Sequence, residues 1–383
     1  MTNHRRSDVS PFLVMEVLEE AERLQKAGAD VVHMEVGEPD FDTPLCIREA
    51  AERAMREGKT HYTNSLGILP LREAICEYYY QRYGVQVDPD QVMVTAGTSP
   101  ALFMLYSVLL EGGDEVILSN PYYACYPNYI TFADGVPVYV DALESEGYQL
   151  RAEALREKIG SRTRAIMINS PSNPTGIVLD AERMAQIAGL GPMVVSDEIY
   201  HGLVYEGKEH SILEFTDQAC VLNGFSKLYA MTGWRLGYII APKEIIRSMQ
   251  KIQQNFFISA NAFVQWAGVA ALKESAADVE RMKQTYAERR LYLLEGLRGL
   301  GFQIPHPPTG AFYMLVNARK YTSDSLAFAF ELLRNAKVAV APGIDFGSNA
   351  EGYLRFSYAT SLERIGEGIR RLGAYLASLD AKR

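Results

Sequence analysis

The chain has 383 residues, 48% hydrophobic and 22% charged, an ordinary globular composition with length for roughly two or three domains. A net charge of -9 argues against a general attraction to nucleic acid or an anionic membrane, and no apolar run approaches the ~20 residues that span a bilayer. Cys46, Cys76, Cys125 and Cys220 lie far apart, which argues against a disulfide framework and a structural zinc site.

The start, MTNHRRSDVSPF, is polar and lacks the apolar core of a secretory signal, so a cytoplasmic location is expected. Residues 11–26 carry Phe12, Val14, Met15 and Leu18 at helical spacing, and Ala27-Gly28 ends the run. Residues 31–36 read as a short strand that breaks at Gly37-Glu38-Pro39-Asp40. Segments 46–56 and 69–82 read as helices. The loop between them, 61–67, carries Tyr62.

From residue 92 the rhythm changes. Short apolar runs at 92–95, 115–118, 137–140, 165–168, 193–195, 220–222 and 237–240 mostly alternate with helical segments. That alternation predicts an α/β fold with a largely parallel sheet buried on both faces, whose sites form at the carboxyl ends of strands. A long helical region, broken near 259–261, reaches about residue 300. Strand-like runs at 311–316, 338–341 and 353–358, with helices at 325–335 and 362–379, then predict a smaller α+β domain. The expected division is an N-terminal segment 1–40 packing with the small domain, a large domain 41–285 and a small domain 286–383.

Several strand ends carry unusual residues. The first run is followed by Ala96-Gly97-Thr98-Ser99-Pro100 and a helix, so free N–H groups and hydroxyls could cradle a phosphate. Taken alone, a plain N-cap explains those residues equally well. After 165–168 comes Asn169-Ser170-Pro171-Ser172-Asn173-Pro174-Thr175-Gly176, a stiff loop able to hold the Asn173 amide at a fixed angle. After 193–195 comes Ser196-Asp197-Glu198-Ile199-Tyr200. A carboxylate at that strand end calls for a cationic partner, or else serves as a helix cap. After 220–222 comes Asn223-Gly224-Phe225-Ser226-Lys227, with Arg235 eight residues on. A lysine beside a buried strand is costly when charged, and burial lowers its pKa and frees a nucleophilic amine. Lysine, carboxylate, tyrosine, fixed amide and phosphate cradle together are what pyridoxal phosphate needs.

The motifs Ser170-Pro171-Ser172-Asn173-Pro174-Thr175-Gly176, Asp197-Glu198-Ile199-Tyr200 and Phe225-Ser226-Lys227 with Thr232-Gly233-Trp234-Arg235 resemble those of fold-type I pyridoxal-phosphate aminotransferases of the class I/II superfamily. The resemblance runs from Val36-Gly37-Glu38-Pro39-Asp40-Phe41 to the C-terminal region. It implies that Lys227 forms the Schiff base and carries the proton of the 1,3-shift, and that Asp197 pairs with the pyridinium nitrogen. Tyr200 and Asn173 would bond the ring oxygen, and Tyr123 would stack on the ring. Arg235, Thr98 and Ser99 would hold the phosphate. Arg355 would fork onto the substrate α-carboxylate, with Gly37 in the loop closing over it and Asn173 beside it. Tyr62 would reach the phosphate of the neighbouring subunit, which implies a homodimer. The implied reaction is a ping-pong transfer of an amino group from an L-amino acid to a 2-oxo acid, 2-oxoglutarate being expected.

Two positions depart from the family pattern. Gly224 stands where a phosphate-binding Ser is common, so Ser226 or a backbone N–H would replace that contact. At Ser99 some bacterial aspartate aminotransferases of this group carry a Lys linked to dicarboxylic substrates, and its absence weakens an aspartate-specific reading. The alternatives are a pyridoxal-phosphate carbon–sulfur β-lyase of the same fold and a regulator built on the fold. The second would carry an added DNA-binding domain, for which the residues before the motif region leave little room. Tyr122, Tyr123, Tyr126 and Tyr129 are compatible with apolar donors and equally with ordinary packing.

Overall fold

The computed structural model describes residues 9–380; the polar stretch 1–8 and the last three residues lie outside the described residues. Its centre is a seven-stranded sheet built from β2 (Val92–Thr95), β3 (Glu115–Asn120), β4 (Val136–Asp141), β5 (Thr163–Asn169), β6 (Met193–Asp197), β7 (Ala219–Gly224) and β8 (Gly237–Ile240). The order is β2-β8-β7-β6-β5-β3-β4. β8 runs antiparallel to both neighbours and the remaining pairs are parallel.

Alternation along these strands fills two cores. Val92, Val94, Val221 and Ile240 face one side, while Met93, Cys220, Leu222 and Ile239 face the other. A period of two places successive side chains on opposite faces, and both faces are apolar because helices cover both. Each such aliphatic side chain contributes about 1.5–3 kcal/mol when fully buried. β4 departs from the expected doubly buried strand. It is the sheet edge, and Val136 and Tyr139 remain exposed because only β3 pairs with it.

A second sheet has the order β1-β10-β11-β9, with β1 (Val32–Met34), β9 (Tyr313–Asn317), β10 (Val338–Pro342) and β11 (Tyr353–Ser357). β1 pairs in parallel with β10, so the N-terminal segment joins the C-terminal strands. Helix α1 (Leu13–Lys26) buries Val14, Val17 and Ala21 at helical spacing. Its first N–H groups have no local cap. The Asp345 carboxylate accepts from the Leu13 and Val14 N–H groups, each at 3.1 Å.

Ten further helices lie among the described residues between α1 and the last, α12 (Leu362–Asp380). Helix α4 (Thr98–Leu109) follows β2, and the helix Ala276–Gly299 runs unbroken through the expected boundary at residue 286. No described helix is long and apolar enough to cross a membrane.

Candidate active site

The carboxyl ends of β2, β3, β5, β6 and β7 converge on one cavity of about 280 Å³. Gly37, Thr98, Ser99, Tyr123, Asn173, Asp197, Tyr200, Ser226, Lys227, Arg235 and Arg355 all line it. The convergence follows from topology, since parallel strands deliver their carboxyl ends, and the loops that leave them, to one edge. Arg235 reaches the same edge from the other direction, because the antiparallel β8 begins just after it. Tyr62 is the expected residue that stands apart. It is 85% exposed and lies outside the cavity. Tyr122 is also elsewhere, stacked on Tyr139 with ring centroids 5.2 Å apart.

Lys227 follows β7 and its Nζ donates to the Gly37 carbonyl at 2.7 Å. Desolvation pulls its pKa down to about 8, opposed by the nearby Glu38 carboxylate. Asp197 closes β6 and is buried. Burial raises its pKa, and two donors oppose that rise: the Tyr126 hydroxyl at 2.7 Å and the Ile199 N–H at 3.1 Å. Its direct side-chain partner is a phenol, and Lys227 acts on it only through the field.

Arg355 sits in β11 with 2% exposure. Its Nη1 donates to Asn173 Oδ1 at 2.9 Å and its Nη2 to the Glu35 carbonyl. The guanidinium lies 4.4 Å from the ring centroid of Tyr313 and 4.8 Å from that of Phe346. Its Nε is buried without a partner, and no carboxylate among the described residues pairs with it. A buried guanidinium in that condition is a site for an anion. The same bond turns Asn173 Oδ1 toward Arg355 and leaves its amide NH₂ free to donate. Asn169 stiffens the loop, accepting from the Asn173 N–H at 2.7 Å and donating to the Asp197 carbonyl at 2.9 Å.

At the start of α4 the first N–H groups have no side-chain cap. Gly97 adopts φ 98°, and a Cβ there would stand 2.5 Å from Arg235 Nη2. Gly237 is as tightly placed, since its Cβ would meet Thr98 N at 2.9 Å. Gly224 packs on Gly237 in the same layer, where a Cβ would lie 3.0 Å from the Gly237 Cα. A side chain at 224 would therefore press on backbone, which gives the absence of Ser there a packing reason. These residues fit pyridoxal phosphate on three observations. Bare helix N–H groups beside an arginine suit the phosphate, a buried carboxylate suits a ring cation, and a lysine of lowered pKa suits the aldehyde.

Several residues of the lining had no defined role in the sequence pattern. Tyr126 anchors Asp197, and Tyr313 lies 2.8 Å from the Tyr200 hydroxyl. Phe12, Val14, Met15, Val36 and Leu102 add an apolar wall. Phe12 meets Tyr123 edge to face at 6.0 Å. The helical spacing of 11–26 marked Phe12, Val14 and Met15 as packing residues. It could not show that the start of that helix overhangs the cavity.

Similarity to known proteins spans the chain. The family profile described as aminotransferase class I and II matches residues 29–372. The (5-formylfuran-3-yl)methyl phosphate transaminase of Methanocaldococcus jannaschii is 42% identical, over 98% of this chain and 100% of that protein. The aspartate/prephenate aminotransferase of Thermus thermophilus is 40% identical, over 98% of each. The structure of Thermus thermophilus aspartate aminotransferase with maleate superposes with a TM-score of 0.94 at 40% identity, covering 98% of this chain and 99% of that one.

Proposed function

The chain belongs to the class I and II aminotransferases, enzymes that work with pyridoxal 5'-phosphate, and on that footing we propose roles for its side chains and the class of donor it takes. It is an aminotransferase, and full-length likeness to named transaminases disfavours the lyase alternative. Bound pyridoxal phosphate supplies an aldehyde carbon that amines attack and a pyridine ring that draws electron density from the bond to be broken.

In our reading Lys227 provides the amine that holds the cofactor, and its freed Nζ takes the proton from the donor Cα. Asp197 keeps a proton on the ring nitrogen, with Tyr126 holding the carboxylate in place. Tyr200 and the Asn173 NH₂ donate to the ring oxygen, and Tyr123 covers a ring face. Thr98, Ser99, Ser226 and Arg235 hold the phosphate. Arg355 forks onto the α-carboxylate of donor and acceptor alike, beneath the Gly37 loop. The observation that carries this reading is the buried, carboxylate-free Arg355 in one cavity with Lys227 and Asp197.

The relatives' names span aspartate, prephenate and a furan phosphate, so kinship alone does not choose the donor. The wall of Phe12, Val14, Met15, Val36 and Leu102 favours an apolar or aromatic side chain. Among the described residues the cations lining the cavity are Lys227, Arg235 and Arg355, each with a role already. The second carboxylate of our proposed acceptor, 2-oxoglutarate, would therefore draw on a cation of a second subunit. The test is to follow the visible band of the holoenzyme with single donors and no acceptor. L-phenylalanine or L-leucine should move it to shorter wavelength at lower concentration than L-aspartate. Aspartate acting at the lowest concentration would overturn the donor class. Failure of every amino acid would overturn the role of Arg355.

We further propose a cytoplasmic homodimer in which Tyr62 of one chain reaches the other's phosphate site. The high exposure of Tyr62, and of Phe256 at 75%, supports this. Light scattering should give the mass of two chains. The division into 1–40, 41–285 and 286–383 remains our proposal for the domains, supported by the pairing of β1 with β10.

A further inference from the structure

Tyr313 opens β9, is buried at 1% exposure and lines the cavity. Three contacts define it. Its hydroxyl lies 2.8 Å from the Tyr200 hydroxyl, with the two rings edge to face at 5.5 Å. Its ring face supports the Arg355 guanidinium at 4.4 Å. Its hydroxyl also fills the space beside Gly37, where a Cβ would come within 1.9 Å of the oxygen. The neighbouring Phe312 packs on Tyr200 at 5.6 Å with no hydroxyl at all, so packing alone does not require one at 313.

Two phenols sharing one hydrogen bond must choose a direction. Whichever donates leaves the other's proton free for a third partner. Burial keeps both phenols neutral, so each holds one proton to place. If Tyr313 donates, Tyr200 keeps its own proton to give to an acceptor in the cavity that it lines.

We propose that Tyr313 is a positioning residue that donates to the Tyr200 hydroxyl and so commits the Tyr200 proton to the ring oxygen of the bound cofactor. The inference rests on the reading that Tyr200 serves that oxygen. A donor that itself accepts a hydrogen bond is polarised and donates more strongly. The chain Tyr313 to Tyr200 to ring oxygen therefore stabilises the negative charge on that oxygen. Because the same Tyr313 ring lies under Arg355, one side chain touches both the carboxylate fork and the ring-oxygen donor.

The test is spectroscopic. The visible band of the pyridoxal-phosphate-loaded enzyme is titrated between pH 5 and 10 for the parent, Tyr313→Phe, Tyr200→Phe and Gly37→Ala. Donation to the ring oxygen favours the deprotonated form, so loss of a donor raises the midpoint. Tyr200→Phe should raise it by about one unit and Tyr313→Phe by roughly half a unit. Gly37→Ala keeps Tyr313 but displaces its hydroxyl, and should shift the midpoint in the same sense. Tyr313→Phe retains the ring under Arg355, so the KM of the donor should stay within about twofold. A parental midpoint in Tyr313→Phe beside a raised one in Tyr200→Phe overturns the role of Tyr313. So does a higher donor KM, or a lower melting temperature, without a spectral shift. A parental midpoint in Tyr200→Phe overturns the underlying reading instead, which separates the two failures.

Discussion

The Tyr126 hydroxyl donates to Asp197 Oδ2 at 2.7 Å, and both side chains are buried. The phenol holds in place a carboxylate that burial alone would push toward its neutral form. Tyr126→Phe should raise the Asp197 pKa further and weaken its hold on a ring cation. A hydrogen bond to a charged group contributes about 1.5–3 kcal/mol, so kcat should fall at least tenfold at neutral pH. The loss should ease as pH rises, because the carboxylate then re-forms. A kcat profile against pH checks this, and a pH-independent loss would place Tyr126 elsewhere.

Lys227 gives a second prediction with a definite sign. Its pKa is lowered to about 8, so the ammonium dominates below that pH and the free amine above it. Only the free amine attacks an aldehyde. Covalent capture of pyridoxal phosphate by the cofactor-free protein should slow about tenfold per pH unit below 8 and level off above it. Borohydride reduction followed by mass spectrometry should place the label on Lys227, and Lys227→Ala should take up none.

Arg355 is held by Asn173, the Glu35 carbonyl and two aromatic rings, with no described carboxylate in an ion pair with it. Arg355→Lys keeps the charge and loses the planar fork. The KM of every donor and acceptor should rise tenfold to hundredfold, about 1.4–2.8 kcal/mol. The absorbance of bound cofactor should persist. Loss of cofactor together with substrate binding would show that Arg355 serves the cofactor and not the α-carboxylate.

Asp345 accepts from the first two N–H groups of α1 and so fixes where Phe12, Val14 and Met15 meet the cavity. Asp345→Ala removes both acceptors and should cost about 1–2 kcal/mol of stability, seen as a lower melting temperature. Phe12→Ala should act on the wall alone. It should raise the KM of apolar donors about tenfold and leave the KM of alanine within a factor of two. Equal effects on all donors would remove Phe12 from the side-chain wall.

The sequence by itself determined the rhythm of the large sheet and which side chains stand at its strand ends. Apolar runs of strand length register as strands because side chains alternate, and small residues after them register as loops because only there can backbone N–H groups be spared. Lys227, Asp197, Asn173 and Arg235 were legible as candidates for that reason: Asp197 closes its strand and the others lie within a few residues of one. Tertiary structure decided what depends on distant segments meeting. It turned β8 against its neighbours, set β4 at an exposed edge and brought Gly37 within 2.7 Å of Lys227 across 190 residues of chain. It also chose Tyr126 and Tyr313 from 23 tyrosines as the ones that touch Asp197 and Tyr200. Local pattern reports how a side chain sits on its own helix or strand. Which hydroxyl points at which partner is fixed by the packing of whole elements, and that appears only when the sheets and helices are in place.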